Sequence, residues 1–264
     1  RHVKRMAQPL VDSALAGDRI IAALARVTPG ESVWAHAAHT ALAAVSVGAR
    51  LGLDRQELID VAVAALLHDV GHDWSERAFA EGGVAQHAAP HTFEGVRRIA
   101  WATTFNRSSL VAMRTALEHH GASADPQAAP PALFSRLVAM ADAYVTFLSR
   151  GTTRAQWMSP SSALTRVLDL QRASVQLALG VALVRALGFY PPGQLVELDD
   201  GAIARALVPV ADDPERPWVQ LVADERGALI PGGRREVMPL PEGRHIVRAL
   251  PRDLWPVDAA RPAA

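Results

Sequence analysis

The stretch LLHDVGHDW, residues 66–74, places His68 next to Asp69 at the end of a long apolar segment and follows them with Gly71 and His72. Two adjacent polar side chains are costly in a helical core unless they are paired or bound to something. Neighbours on a helix point about 100° apart, so both can face one ion only near a helix end. The glycine predicts such an end, and the stretch therefore indicates a metal site.

The histidines of the chain are concentrated around this stretch, because eight of the ten fall between positions 36 and 120. Imidazole is the commonest metal-ligand side chain. A second doublet, His119 and His120, ends another apolar-periodic segment, and His91 follows a proline at a predicted helix start. Asp142 lies in the apolar run VAMADAY, where an unpaired carboxylate would be costly. One histidine alone is more often a hydrogen-bonded core residue than a ligand, but a shared buried cation explains these residues together.

The composition narrows the class of protein. Lys plus Arg equals Asp plus Glu at 27 each, so no basic surplus indicates a nucleic-acid polymer as partner. The chain has no cysteine, which excludes disulfides and thiolate ligands and leaves nitrogen and oxygen donors, a set that suits Fe, Mn, Zn, Ni or Co. No uninterrupted apolar run reaches about 18 residues, and the first residues lack the apolar core of a signal peptide. We therefore expect no membrane segment and a cytoplasmic location.

The spacing of apolar residues predicts a mainly α-helical domain over residues 1–190, followed by a small β-rich extension over 191–254 and a tail at 255–264. Apolar positions recur every three or four residues in the first part. They predict helices over 11–27, 31–52, 55–69, 92–104, 108–120 and 132–149, and a pair within 159–187. After residue 190, two β-like runs flank the turn DDG at 199–201, which predicts a hairpin.

The ordered polar residues resemble the HD superfamily of metal-dependent phosphohydrolases, and within it the HD-GYP branch, which hydrolyses the bacterial messenger cyclic di-GMP. The ligand order of that branch, H … HD … H … HH … D, reads here as His36, His68, Asp69, His91, His119, His120 and Asp142. The segments HTFEGVRRI and LFSRLVAMADAY are also similar to family segments. The resemblance covers roughly residues 27–222 and implies an HD helical bundle with its core over about 27–187.

The resemblance also implies the chemistry. Two divalent ions, Fe or Mn, would be bridged by Asp69, a catalytic residue. His36, His68 and Asp142 would complete the shell of one ion, and His91, His119 and His120 that of the other. The implied substrate is a cyclic dinucleotide, above all cyclic di-GMP, and the implied signalling partner is a GGDEF-type protein.

The sequence departs from the HD-GYP pattern around this ligand set. The GYP run expected after the second doublet is missing, and His72 stands where the family has Lys. His72 could contact phosphate or protonate the leaving oxygen. The Arg expected nine residues after Asp142 is Gly151, so Arg150 and Arg154 are the candidates to bind the second phosphate.

Three interpretations follow from these residues. The ligand set favours an active cyclic dinucleotide phosphodiesterase. The departures favour a degenerate protein that binds a nucleotide or a protein without turnover. A general HD phosphohydrolase, acting on another nucleotide or phosphate ester, is the third.

His39 lies one turn after His36, and we expect it beside the site or at the surface. His87 lies close enough to His91 to leave open which of the two is the ligand.

Overall fold

The computed structural model describes residues 2–16, 21, 23–24, 27, 32–72, 88–120, 130–149, 158–173, 177–210, 213–231 and 237–251. The chain divides into two compact units, Arg1–Ala16 with Val33–Ala143 and Gly17–Ser32 with Tyr144–Ala264. A domain boundary near residue 190 stays a prediction. The described residues are mainly helical with a small antiparallel sheet at the C-terminal side, which confirms the predicted fold class.

The first unit is built from helices that surround the predicted ligands. They are α1 (His2–Leu15), α2 (Val33–Arg50), α3 (Arg55–Leu67), α4 (Ala88–Ala102), α5 (Arg107–Glu118) and the first part of α6 (Leu133–Ser149). Its core is made of small and branched side chains such as Val45, Leu58, Ala62, Ala112 and Leu137, all fully buried. Burial of this apolar surface is the main force that holds the helices together. Among the described residues, no helix combines the length and apolarity needed to cross a membrane.

Capping interactions fix where two of the site-bearing helices begin. Asp54 caps α3: its side chain accepts a hydrogen bond from the amide of Glu57 at 2.8 Å, and the Glu57 side chain accepts from the Asp54 amide at 3.0 Å. Asn106 and Ser109 form the equivalent reciprocal pair at the start of α5. Such pairs satisfy amides that have no partner within the helix. Gly52, which the sequence marks as a helix stop, adopts φ +80° just after α2.

The first helix differs from the prediction. It spans His2–Leu15 rather than 11–27, and it contains Pro9. Ala7 and Val11 lie one turn apart on it and are fully buried, so packing of this face outweighs the cost of a proline inside a helix. Further along, Ile21 and Leu24 belong to a short 3-10 turn.

The second unit contains the rest of α6, two further helices and the sheet. The helices are α7 (Pro160–Ala173) and α8 (Leu177–Leu187), and the strands are β1 (Leu195–Leu198), β2 (Ile203–Val210), β3 (Asp213–Ala223), β4 (Val237–Pro239) and β5 (Ile246–Ala249). Their order in the sheet is β4-β3-β2-β1-β5, and neighbours are antiparallel. The predicted DDG hairpin is confirmed: Gly201 has φ +83° between β1 and β2.

Candidate metal centre

The first doublet lies at the end of α3, where His68 is the C-terminal capping residue. The Nδ1–H of His68 donates to the Ala65 carbonyl at 2.8 Å, which turns Nε2 toward the site. This Nε2 lies 3.2 Å from Asp69 Oδ2 and 3.6 Å from Asp142 Oδ1. Within the described part of the chain it is buried and makes no hydrogen bond of good geometry. A buried ligand-type nitrogen aimed between two carboxylates fits a cation.

The second doublet lies at the end of α5, where His119 is the C-terminal capping residue. Its Nδ1–H faces two carbonyls of the preceding turn at 3.1 and 3.2 Å, and its Nε2 lies 3.1 Å from Asp69 Oδ1. The Nε2 of His120 lies 2.9 Å from Nε2 of His91, which α4 contributes. The two doublets and His91 thus converge on one point from three helices.

Asp69 occupies the middle of this cluster. Its Oδ2 faces His68, whereas its Oδ1 faces His119 at 3.1 Å, His72 at 3.5 Å and His91 at 3.7 Å. Two sets of potential ligand atoms each lie within 4.8 Å of one another, and Asp69 belongs to both: one is Asp69, His91, His119 and His120, and the other is His36, His68 and Asp69. A carboxylate whose two oxygens face different sets of imidazoles can join two cations.

Asp142 closes the cluster on the side of α2. Its Oδ1 lies 2.9 Å from His36 Nε2, an interaction that pairs α6 with α2 across 106 residues of sequence. The structure therefore brings together the seven residues that the sequence predicts as ligands. His39 belongs to neither set of potential ligand atoms. His87, Arg150 and Arg154 lie outside the described residues, so their predicted roles stay predictions.

Comparison with known proteins agrees with this arrangement. Residues 33–146 match the HD domain family. We call this segment the HD region, and it contains the seven predicted ligands. No curated protein matches the chain. The chain is also similar to the crystal structure of the HD domain of the L. monocytogenes phosphodiesterase PgpH in complex with cyclic-di-AMP, with 14% identity, a TM-score of 0.42, and coverage of 67% of this chain and 92% of that one. The family match covers only residues 33–146 and agrees with the predicted HD domain there, whereas the HD-GYP branch stays a prediction.

The electrostatics of the HD region couple its carboxylates to its imidazoles. Burial alone would raise the pKa of Asp69 and of Asp142, but the adjacent histidines outweigh it and hold both values far below the ordinary range. Burial would lower the pKa of His68, yet the two carboxylates raise it well above its ordinary value. Burial and neighbouring imidazoles lower the pKa of His120 to about 4. A divalent cation at this point would offset the charge of the two carboxylates.

The donors of the HD region fit a first-row divalent metal. They are imidazole nitrogens and carboxylate oxygens, which suit Fe, Mn, Zn, Ni or Co. His68 and His119 each direct Nδ1–H at a helix carbonyl, which fixes the ring and leaves Nε2 as the atom that could bind a metal. These hydrogen bonds from His68 and His119 to backbone carbonyls could not be deduced from the sequence, because every helical residue has carbonyls available in the preceding turn.

His72 lies at the rim of the cluster rather than within either set of ligand atoms. Its ring stacks on that of His91 with centroids 3.8 Å apart and planes tilted by 14°. Its Nε2 lies 3.5 Å from Asp69 Oδ1 and its side chain is 14% exposed. A partly exposed imidazole beside the candidate metal centre can reach a bound substrate.

Gly71 has a function that the sequence does not reveal. The helix α3 ends at Leu67, four residues before this glycine, and Gly71 lies against the backbone of α4. A Cβ at this position would stand 1.9 Å from the carbonyl oxygen of His91 and 2.4 Å from the amide nitrogen of Gly95. Only glycine allows the turn that carries Asp69 to approach α4 so closely.

Proposed function

We propose that this protein is a metal-dependent phosphodiesterase that hydrolyses a cyclic dinucleotide, with cyclic di-GMP as the preferred substrate. The position of Asp69, whose Oδ2 faces His68 while its Oδ1 faces His119, is the observation that carries the proposal. The match of the HD region to a family of known fold adds support. The choice of cyclic di-GMP comes from the resemblance of the ligand order to the HD-GYP branch.

The proposed centre would hold two ions, which we assign as Fe or Mn. Asp69 would be shared between them. His36, His68 and Asp142 would bind one ion, and His91, His119 and His120 would bind the other. When bound, two divalent ions neutralise charge on a phosphate ester and help to ionise the attacking water.

The chain's own residues would position and protonate the substrate. The carbonyl anchors of His68 and His119 hold two imidazoles in fixed orientations, so the site needs little reorganisation. His72, stacked on His91 at the rim, is proposed to contact phosphate or to protonate the leaving oxygen. Arg150 and Arg154 are proposed to bind the second phosphate of a cyclic dinucleotide. A GGDEF-type protein stays the predicted signalling partner.

The other interpretations differ from this proposal in what they bind. A non-catalytic binding protein would not require two ions bridged by Asp69. A general phosphohydrolase would not require a site for two phosphates. Ion stoichiometry and the choice among diester and monoester substrates therefore separate the three.

The test is reconstitution with defined metals. Protein purified without oxygen is loaded separately with Fe(II) and Mn(II), its metal content is measured, and cyclic di-GMP, cyclic di-AMP and a nucleoside monophosphate are offered. Asp69→Ala is the inactive variant, and Asp12→Ala, which alters an exposed carboxylate paired with Arg55, is the matched control.

The proposal predicts two ions per chain and linear pGpG or GMP as product from wild type and from Asp12→Ala, with neither from Asp69→Ala. Turnover of cyclic di-AMP alone would keep the reaction class and change the substrate. Two bound ions without hydrolysis of any cyclic dinucleotide would contradict the proposed activity.

A further inference from the structure

The guanidinium group of Arg98, on α4, contacts the turn at residues 68–72. Within the turn, the amide of Val70 donates to the Leu67 carbonyl at 3.1 Å, and the amide of His72 donates to the Asp69 carbonyl at 3.0 Å. The carbonyls of Val70 and His72 both accept from one nitrogen of Arg98, at 2.9 and 3.2 Å. Carbonyls that follow a helix C-terminus lack helical partners, and a cation is favourable there.

Arg98 is itself fixed by Glu94, one turn earlier on α4. Its Nε donates to Glu94 Oε1 at 2.7 Å. Arg97 binds the same carboxylate through Nε and a terminal nitrogen, both at 2.7 Å, but points elsewhere, over the ring of Trp101. Hydrogen bonds from the two guanidiniums lower the pKa of Glu94 to about 2, so this carboxylate stays ionised at any assay pH.

The contact of Arg98 with the turn matters because both the turn and α4 carry residues of the candidate metal centre. Asp69 and His72 belong to the turn, and His91 belongs to α4. Asp69 Oδ1 lies 3.7 Å from His91 Nε2, and that distance depends on how the turn sits on the helix. The Gly71 contact brings the two backbones together, and Arg98 adds two directional hydrogen bonds between them.

We propose that Arg98 is a positioning residue of the candidate metal centre, which sets the separation of Asp69 from His91 by holding the Val70 and His72 carbonyls against α4. This inference rests on the proposed function for its link to metal. It assigns Arg98 no contact with substrate. Residues that orient ligands typically change metal affinity by about 10- to 100-fold when they are removed.

Arg97 offers a matched control. Both arginines are about half exposed, both bind Glu94, and each exposed ion pair contributes little to stability. Of these two arginines, Arg98 is the one that donates hydrogen bonds to carbonyls of the turn. Arg98→Ala and Arg97→Ala therefore remove similar charge and similar pairing with Glu94, and they differ in the turn carbonyls. Arg98→Lys keeps the charge and can reach one carbonyl, so it is expected to recover part of the effect.

Two measurements on the full chain test the proposal. The first is amide hydrogen exchange of the metal-free protein, read by NMR at Val70 and His72. Arg98→Ala is expected to speed exchange at these amides by about tenfold, since local opening is favoured when its contacts are lost, while Arg97→Ala leaves it unchanged. The second is titration of each variant with Mn(II) by calorimetry. Arg98→Ala is expected to weaken Mn(II) binding by about tenfold or more, with partial recovery in Arg98→Lys.

Each outcome decides a separate point. Equal exchange and equal Mn(II) affinity in Arg98→Ala and Arg97→Ala would overturn the positioning role. Faster exchange with unchanged affinity would also overturn it, because Arg98 would then stabilise the turn without placing a ligand. Absence of binding of both Mn(II) and Fe(II) by the wild-type chain would refute the proposed function, and the exchange data would still decide whether Arg98 holds the turn.

Discussion

The Nε2 atoms of His91 and His120 lie 2.9 Å apart, with their rings nearly perpendicular at 88°. Two unprotonated imidazole nitrogens repel at this distance, so a proton or a cation must lie between or beside them. This spacing is that of an N–H···N hydrogen bond, in which one neutral ring donates and the other accepts. The two nitrogens also belong to one set of potential ligand atoms that lie within 4.8 Å of one another.

Removal of His120 should empty one of the two proposed ion positions. His120→Ala takes away one nitrogen of the set that contains His91 and His119, while the set that contains His36 and His68 is untouched. We expect metal content to fall from two ions per chain to one. Elemental analysis after Mn(II) loading and desalting measures this. His245→Ala, which alters a histidine 73% exposed beside Asp199, is the control and should retain both ions. Two ions in the His120 variant would show that this residue is not a ligand.

Metal binding should release protons, and its affinity should therefore rise with pH. The carboxylates outweigh burial and raise the pKa of His68, so His68 keeps a proton to higher pH than an ordinary histidine, and an incoming ion must displace it. His120, with a pKa lowered to about 4, contributes no such proton near neutral pH. We expect proton release on metal binding, measured by calorimetry in buffers of different ionisation enthalpy.

The metal-free protein should respond to pH in the opposite direction. The raised pKa of His68 contributes stability that is fully present below the ordinary histidine value and is lost as pH rises through the raised value. Denaturation with and without chelator at pH 6, 7 and 8 measures both trends. Affinity for Mn(II) that increases as pH falls would contradict the assignment of His68 as a ligand.

The glycine contact between the turn and α4 can be tested with a matched pair. A Cβ on Gly71 would collide with the His91 carbonyl at 1.9 Å, so Gly71→Ala must push the turn away from α4. We expect Mn(II) affinity to fall by about tenfold or more. A Cβ on Gly95 would lie 3.4 Å from Ala116 Cβ and 3.6 and 3.8 Å from the amide nitrogen and Cα of Gly71, which are ordinary contact distances. Because Gly95 also lies inside a helix, Gly95→Ala should keep metal binding and gain about 0.5–1 kcal/mol. Equal Mn(II) affinity in the two variants would disprove the importance of the close contact.

A second buried carboxylate, Asp60, should matter for stability and not for metal. Its side chain is fully buried, accepts from Ser108 at 2.5 Å and Gln56 at 3.0 Å, and lies 2.9 Å from Arg107 Nε. Asp60→Ala leaves these groups without their acceptor, and we expect a loss of about 2 kcal/mol, because the exposure of Arg107 reduces the usual cost. Urea denaturation measures it. Asp12→Ala, at an exposed position, should change stability by less than about 0.5 kcal/mol. Loss of Mn(II) binding in Asp60→Ala would show that this network also shapes the centre.

Some of the site could be predicted because local geometry restricts it. Adjacent residues can converge on one ion only at a helix end, and His68 and His119 are indeed the C-terminal capping residues of α3 and α5.

The predicted bounds of the first helix were wrong, because burial of Ala7 and Val11 on one face is a tertiary effect that overrides Pro9. Sequence patterns report local preference and carry little information on such packing.

Other features depend on contacts that no local pattern encodes. His36 contacts Asp142, which lies 106 residues further along the chain. The two oxygens of Asp69 face different histidines, and this arrangement depends on four helices packing around one turn. Arg97 and Arg98 are neighbours of identical chemistry, and only the rotation of α4 decides that Arg98 meets the turn. The resemblance could supply the ligand order, whereas these supporting contacts required the structure.

The two helix ends at His68 and His119 also bear on the order in which cations and a phosphate ester would bind at the candidate metal centre. The C-terminus of a helix carries about half a negative charge, and two of them point into a cluster that already contains two ionised carboxylates. Such a pocket attracts cations and repels phosphate. We therefore expect that the phosphate ester of the proposed reaction would dock only after cations have reversed the local potential, so that the metal would be the first ligand to bind.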